Sequence, residues 1–214
     1  MHWSANRLRK ISPDGTPRRP RVGIVGEIYV RSHAFSNQDI IRRLEALGLE
    51  VELAGFAEWI FYTNFTRRRR TRHRRQWRTW LGTRIKDAVQ RHDEQAIKRP
   101  LAAVLRHARE SDTADVVRLA QPYIRDSFEG EAVLSVGKAV EFVRSGAAGI
   151  VNVMPFTCMP GNVVSAVLRR LQHDHGGVPV LAIAYDGQPD ASLDIRLEAF
   201  AEQVKAFAGS DWAM

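Results

Sequence analysis

Apolar residues change their spacing several times along the chain, and each change marks an expected element. Val22, Ile24 and Val25 open a first strand expected over residues 22–29. Ile40, Ile41, Leu44 and Leu47 then recur at helical spacing, with Ser36 or Asn37 placed to cap that helix and Gly48 to end it. Residues 49–54 alternate like a second strand, which completes a β-α-β unit with parallel strands. From 57 to about 130 the spacing is helical, beginning with the aromatic group Trp59, Phe61, Tyr62 and Phe65. Pro100 suits the first turn of a helix carrying Leu101, Val104, Leu105 and Ala108, and Pro122 ends the next one. The β/α rhythm returns with a helix through Val133, Val136, Val140 and Val143, ended by Gly146, and a strand running to Met154. Val163, Val167 and Leu171 mark another helix, residues 178–185 a last strand, and Leu193, Leu197, Phe200, Val204 and Phe207 a final helix.

The expected fold is therefore α/β: an open, mostly parallel, four-stranded Rossmann-like sheet with an inserted helical layer. Residues 21–64 and 130–210 form one discontinuous domain, 65–129 a helical insertion, and 1–20 a polar leader expected to be irregular. With 214 residues, 44% hydrophobic and 26% charged, the composition is that of an ordinary globular chain long enough for a sizeable core. No apolar run approaches the roughly 20 residues of a membrane helix, and the first residues lack a signal peptide's apolar stretch, so the expected location is cytoplasmic with no membrane partner.

Charge changes the picture only locally. Residues 67–91 hold ten arginines and one lysine against one aspartate, a net of +10, so the rest of a chain of net charge +8 carries −2. Trp77 and Trp80 stand among these arginines, a pairing that could neutralise phosphates and stack bases. A solvated helix face or a surface for an acidic partner carries more weight than nucleic acid, because no nucleic-acid fold signature accompanies the run.

In an open parallel sheet the functional crevice lies beyond the carboxyl ends of the strands. Three loops are expected to meet there: one with Glu27, Tyr29, Arg31, Phe35, Ser36 and Asn37, one with Pro155, Phe156, Cys158, Pro160 and Gly161, and one with Asp186, Gly187 and Gln188. Cys158 is the single cysteine, between a buried-strand pattern and a helix start, where backbone N–H groups favour a thiolate, an anion or a metal cluster. It excludes an intramolecular disulfide and any all-cysteine metal site from one copy. Each residue also has a plainer role: Glu27 can pair with Arg31, Asp186 can shape a turn, and a lone cysteine can serve as a small buried hydrophobe. Gly137 and Lys138 lack the rest of a phosphate-binding loop, and the glycines at 23 and 26 do not follow the dinucleotide order. His173 and His175 lie on different helix faces, and no G-x-S-x-G elbow is present.

The segments 26–31 with 35–37, 155–161, and 185–187 with 196–200 together resemble the 2-hydroxyacyl-CoA dehydratase group, and more narrowly the acyl-CoA dehydratase activase-related proteins. The likeness runs from about Arg21 to the last helix and covers only the carboxyl-terminal module of long family members. It implies an iron-sulfur-associated module of an activase and dehydratase system, with Cys158 as one ligand of a 4Fe-4S cluster and Glu27, Tyr29 and Arg31 lining the same cleft. The actin-like ATPase portion and further cysteines of that family are not found in this sequence, and no ATP site is recognised. A cluster would then be shared with an ATPase or cysteine-bearing partner subunit, or absent; a homo-oligomer of two copies supplies only two cysteines. The other reading is a cluster-free α/β binding module that recognises an acidic partner or nucleic acid through residues 67–91.

Overall fold

The β-branched runs of the sequence pair into one sheet. In a computed structural model describing residues 2–8, 10, 18–102, 111–188 and 190–210, four strands, β1 (Arg21–Gly26), β2 (Glu50–Leu53), β3 (Gly149–Pro155) and β4 (Val180–Tyr185), form an open, all-parallel sheet in the order β2-β1-β3-β4. The chain divides into two compact units. The α/β unit comprises Arg19–Trp59 and Ala114–Met214, and the helical unit Met1–Arg18 and Ile60–Thr113.

Helices of the α/β unit cover both faces of the sheet, and the remaining helices belong to the helical unit. In chain order they are α1 (His2–Leu8), α2 (Ile28–Ser32), α3 (Ile40–Ala46), α4 (Phe56–His73), α5 (Trp77–Lys98), α6 (Thr113–Ala120), α7 (Glu131–Arg144), α8 (Met159–Asp174) and α9 (Leu193–Ala208). Val22, Ile24, Val151 and Val153 join Ile40 and Leu44 of α3 and Leu197, Phe200 and Val204 of α9 in one buried cluster. On the other face α7 lies close enough that a Cβ at Gly23 would run into Phe142, and α8 packs at Gly161 on Met154. Because β1 and β3 are covered on both sides, they are buried at nearly every position rather than at every second one.

Three boundaries differ from expectation. The first strand stops at Gly26 instead of residue 29, because Gly26 takes φ +112° and Glu27 caps α2. The leader expected to be irregular contains α1, although most of residues 9–17 lie outside the described set. The helical unit ends at Thr113 rather than 129, since α6 packs against α7, where a Cβ at Gly137 would collide with the Val116 carbonyl. Pro100 sits in a short 3-10 turn (Arg99–Leu101), whereas Val104, Leu105 and Ala108 of the expected helix lie outside the described residues.

Within the helical unit, α5 meets α4 through polar side chains. Asp87, 4% exposed, accepts from Arg68 Nη1 (2.9 Å), Arg91 Nε (3.3 Å) and Asn64 Nδ2 (3.4 Å). Asn64 Nδ2 also donates to Gln90 Oε1 (2.7 Å), and the Arg91 guanidinium lies 4.7 Å from the Phe61 ring centre.

The two kinds of helical glycine separate in stability. Gly137→Ala forces α6 away from α7 and is expected to cost about 1–3 kcal/mol in urea unfolding. Gly82, with open space around a Cβ on exposed α5, is expected to gain about 0.5–1 kcal/mol on change to alanine.

Candidate functional site

The site grows from the corner where the chain leaves β1. Glu27 N–H makes one last ladder bond to Val153 O (2.9 Å), after which the chain turns into α2. The Glu27 carboxylate accepts from Tyr29 N (3.1 Å) and Val30 N (2.7 Å), and Glu131 Oε1 accepts from Ile28 N (2.6 Å). The leading N–H groups of α2 are thus occupied by the protein's own carboxylates, as helix termini require. Burial raises the Glu131 pKa, the Ile28 N–H opposes that, and the Glu27 charge adds to it.

Arg31 and Asn37 hold this corner from behind. Arg31 is 1% exposed and donates to Gly26 O (3.0 Å) and Gly55 O (3.3 Å), joining the exit of β1 to the segment after β2. Its Nε is buried without a hydrogen-bond partner. Burial lowers the Arg31 pKa, and Glu58, Glu131 and Glu27 oppose that change. Asn37 is buried too; Nδ2 donates to Val30 O (2.8 Å) and Arg31 O (3.2 Å), and Oδ1 accepts from Ile40 N (3.3 Å). The pairing of Glu27 with Arg31 weighed from the sequence is replaced by these backbone contacts, the two charges remaining neighbours.

In front of the corner lies a crevice of about 550 Å³. The loop after β1 contributes Glu27, Tyr29, Val30, Phe35, Ser36 and Gln38, β3 contributes Pro155, and the end of β4 contributes Tyr185 and Gly187. This is the switch point of the sheet, where the connections from β1 and β3 lead to opposite sides. Tyr29 stacks on His33 with centroids 4.9 Å apart, and His33 Nδ1 lies 2.9 Å from Ser36 Oγ. Gln38 Nε2 reaches Gln188 O (3.2 Å), tying the first loop to the third. Among the described residues the lining carries one carboxylate and no lysine or arginine.

Of the expected residues, Glu27, Tyr29, Phe35, Ser36, Pro155 and Gly187 share this lining, whereas Arg31, Asn37, Phe156, Cys158, Pro160, Gly161, Asp186 and Gln188 do not. Phe156 is 64% exposed. Asp186 is exposed and accepts from Gln188 N (2.9 Å), which makes it a turn residue. Cys158, half-buried, is the N-cap of α8: Sγ accepts from Gly161 N at 3.4 Å, and Pro160 and Gly161 form the first turn. The Gly161 carbonyl accepts from Asn152 Nδ2 (3.0 Å), which anchors that turn to the middle of β3. Among the described residues no three His, Cys, Asp or Glu side chains gather to hold a metal ion; with a single cysteine, one copy supplies at most one thiolate to a cluster.

Sequence reasoning missed Gln38 and Tyr185. Tyr185 is 9% exposed, its Oη is buried without a hydrogen-bond partner, and burial pushes its pKa up to about 12. Its signal in the sequence was a hydroxyl-bearing residue at the carboxyl end of an otherwise aliphatic strand.

A buried ion group lies behind Arg31. Lys138, 5% exposed, pairs with Glu58 (2.7 Å) and Glu141 (3.0 Å). Burial works against its charge, but the two carboxylates prevail and hold its pKa above the ordinary lysine value. A raised folded-state pKa contributes stability that is fully present below the unfolded lysine pKa and is lost as pH rises through the folded value. Lys138→Met is therefore expected to cost about 3–5 kcal/mol at neutral pH in urea unfolding. The gap to the wild type should close only at alkaline pH, above the raised value.

Compared with known proteins, the chain matches no family model, no curated protein and no solved structure, so the crevice and the loops around it carry the functional reading.

Proposed function

We propose that the α/β unit is a ligand-binding module of a 2-hydroxyacyl-CoA dehydratase or activase type of system. It receives the acyl end of a thioester ligand in the crevice and works with a partner subunit that carries the ATPase or additional cysteines. The observation that supports this reading is the meeting of Glu27, Tyr29, Ser36 and Pro155 with Tyr185 at the switch point of the sheet.

The lining favours one part of such a ligand. Tyr29 and Phe35 offer aromatic faces to an acyl or pantetheine chain, and Ser36 and Gln38 offer hydrogen bonds to its amides. The Glu27 carboxylate, with no lysine or arginine among the described lining residues, disfavours phosphates, which leaves the nucleotide end of a CoA outside. Cys158 fits a single ligand position of a four-thiolate cluster, the other three coming from the partner. Such a cluster, when bound, supplies one-electron transfer.

Calorimetric titration with an acyl-pantetheine tests the crevice. Saturable binding is expected, weakened about tenfold or more by Tyr29→Ala with Phe35→Ala. Tighter binding of adenosine bisphosphate than of acyl-pantetheine, or titrations indifferent to the two alanines, would falsify the assignment. For Cys158, iron and sulfide are measured after anaerobic reconstitution: iron retained equally by the wild type and Cys158→Ala removes the cysteine from the proposal.

A further inference from the structure

Helix α5 is packed with its polarity reversed. The side chains it turns towards α4 include Asp87, Gln90 and Arg91, joined with Asn64 and Arg68 in the network around Asp87. Trp77, Leu81, Ile85 and Val89 recur every four residues and stand 58%, 54%, 58% and 54% exposed. Residues four apart on a helix are neighbours on its surface, so these four make one continuous apolar stripe. A helix of a globular protein ordinarily buries such a stripe and wets its charges. Here a hydrogen-bonded ionic network occupies the inside and three aliphatic side chains face solvent.

The positive charge is concentrated at the head of the stripe. Arg67, Arg72, Arg74, Arg75 and Arg78 are exposed around the end of α4 and the start of α5. A groove of about 650 Å³ there is lined by Phe65, Trp77 and Trp80 together with arginines that include Arg72 and Arg75. The two indoles meet edge to face, with centroids 6.1 Å apart and planes at 80°.

The occupant has to answer both features. A single-stranded polynucleotide uses the arginines and indoles but leaves Leu81, Ile85 and Val89 in water. A second copy covers the stripe but sets two segments of net charge +10 against each other. An anionic bilayer surface meets both: lipid phosphates take the guanidinium groups, indoles settle at the headgroup level, and the aliphatic side chains enter the acyl margin. We propose that the helical unit docks on anionic phospholipid surfaces, with α5 lying in the plane of the interface. Among the described residues no helix is long and apolar enough to cross a membrane, and surface docking does not require one.

Flotation of the full chain with vesicles tests this, comparing phosphatidylcholine alone with phosphatidylcholine mixed with phosphatidylserine. Co-flotation is expected only with phosphatidylserine present, and it should fall steeply with salt. Leu81→Ser with Ile85→Ser should weaken it about tenfold or more, and so should Arg72→Glu with Arg75→Glu, while Ile85→Leu retains it. These positions are exposed, so circular dichroism and melting of the variants should match the wild type. Failure to float with phosphatidylserine overturns the proposal, as does flotation indifferent to the serine pair. It is equally overturned by a solution dimer that the serine pair dissociates, or by an oligodeoxythymidine that binds through the arginines while the vesicles do not. None of these outcomes bears on the crevice of the α/β unit.

Discussion

The sharp exit of the chain from β1 is the constraint on which the α/β unit depends. At Gly26 a side chain is excluded twice over, by φ of +112° and by the Val153 backbone that a Cβ would strike. This close approach lets Glu27 N–H extend the ladder to β3 before the direction changes. The Arg31 guanidinium then returns to the Gly26 carbonyl and reaches Gly55 as well, so the ends of β1 and β2 are held by one buried cation. A buried guanidinium is costly unless its charge and most of its donors are answered. Glu58, Glu131 and Glu27 answer the charge, and two carbonyls take the terminal nitrogens.

This corner also determines what the crevice can accept. A helix start beside a parallel sheet is usually free to receive a phosphate. Here Glu131 and Glu27 take the N–H groups of Ile28, Tyr29 and Val30, so the start of α2 already holds negative charge. What remains in front is aromatic and weakly polar. The start of α8 is treated in a similar way, with the Cys158 sulfur taking the Gly161 N–H. At both helix starts the protein's own side chains take N–H groups that an anion would otherwise bind.

The helical unit follows the opposite plan to the sheet. Its interior around Asp87 is polar, and its outer surface on α5 is partly aliphatic. A carboxylate with three donors around it specifies the pairing of α4 and α5 by geometry rather than by apolar area, because an alternative register would leave a charge buried without its partners. Leu81, Ile85 and Val89 of α5 are turned outward instead.

The sequence by itself determined the order and type of the main elements, because both strand and helix periods are local. The β-branched runs at Ile24 and Val151 specified doubly covered strands, and the stripe from Leu193 to Val204 specified α9. The expectation that the loops at the carboxyl ends of parallel strands meet is matched by Glu27, Tyr29, Phe35, Ser36, Pro155 and Gly187, which line one crevice. Tertiary structure alone decided what each neighbour does. Arg31 and Asn37 lie within ten residues of Tyr29 yet are buried, because contacts with Gly26, Gly55 and Val30 depend on chain segments that meet only after β1 and β2 pair. Likewise Tyr185 joins the crevice only through the pairing of β4 with β3, and the polar side of α5 was chosen by Asn64 and Arg68 of another helix. Local spacing reports which residues share a face; it holds no information on which distant groups will satisfy that face's donors and charges.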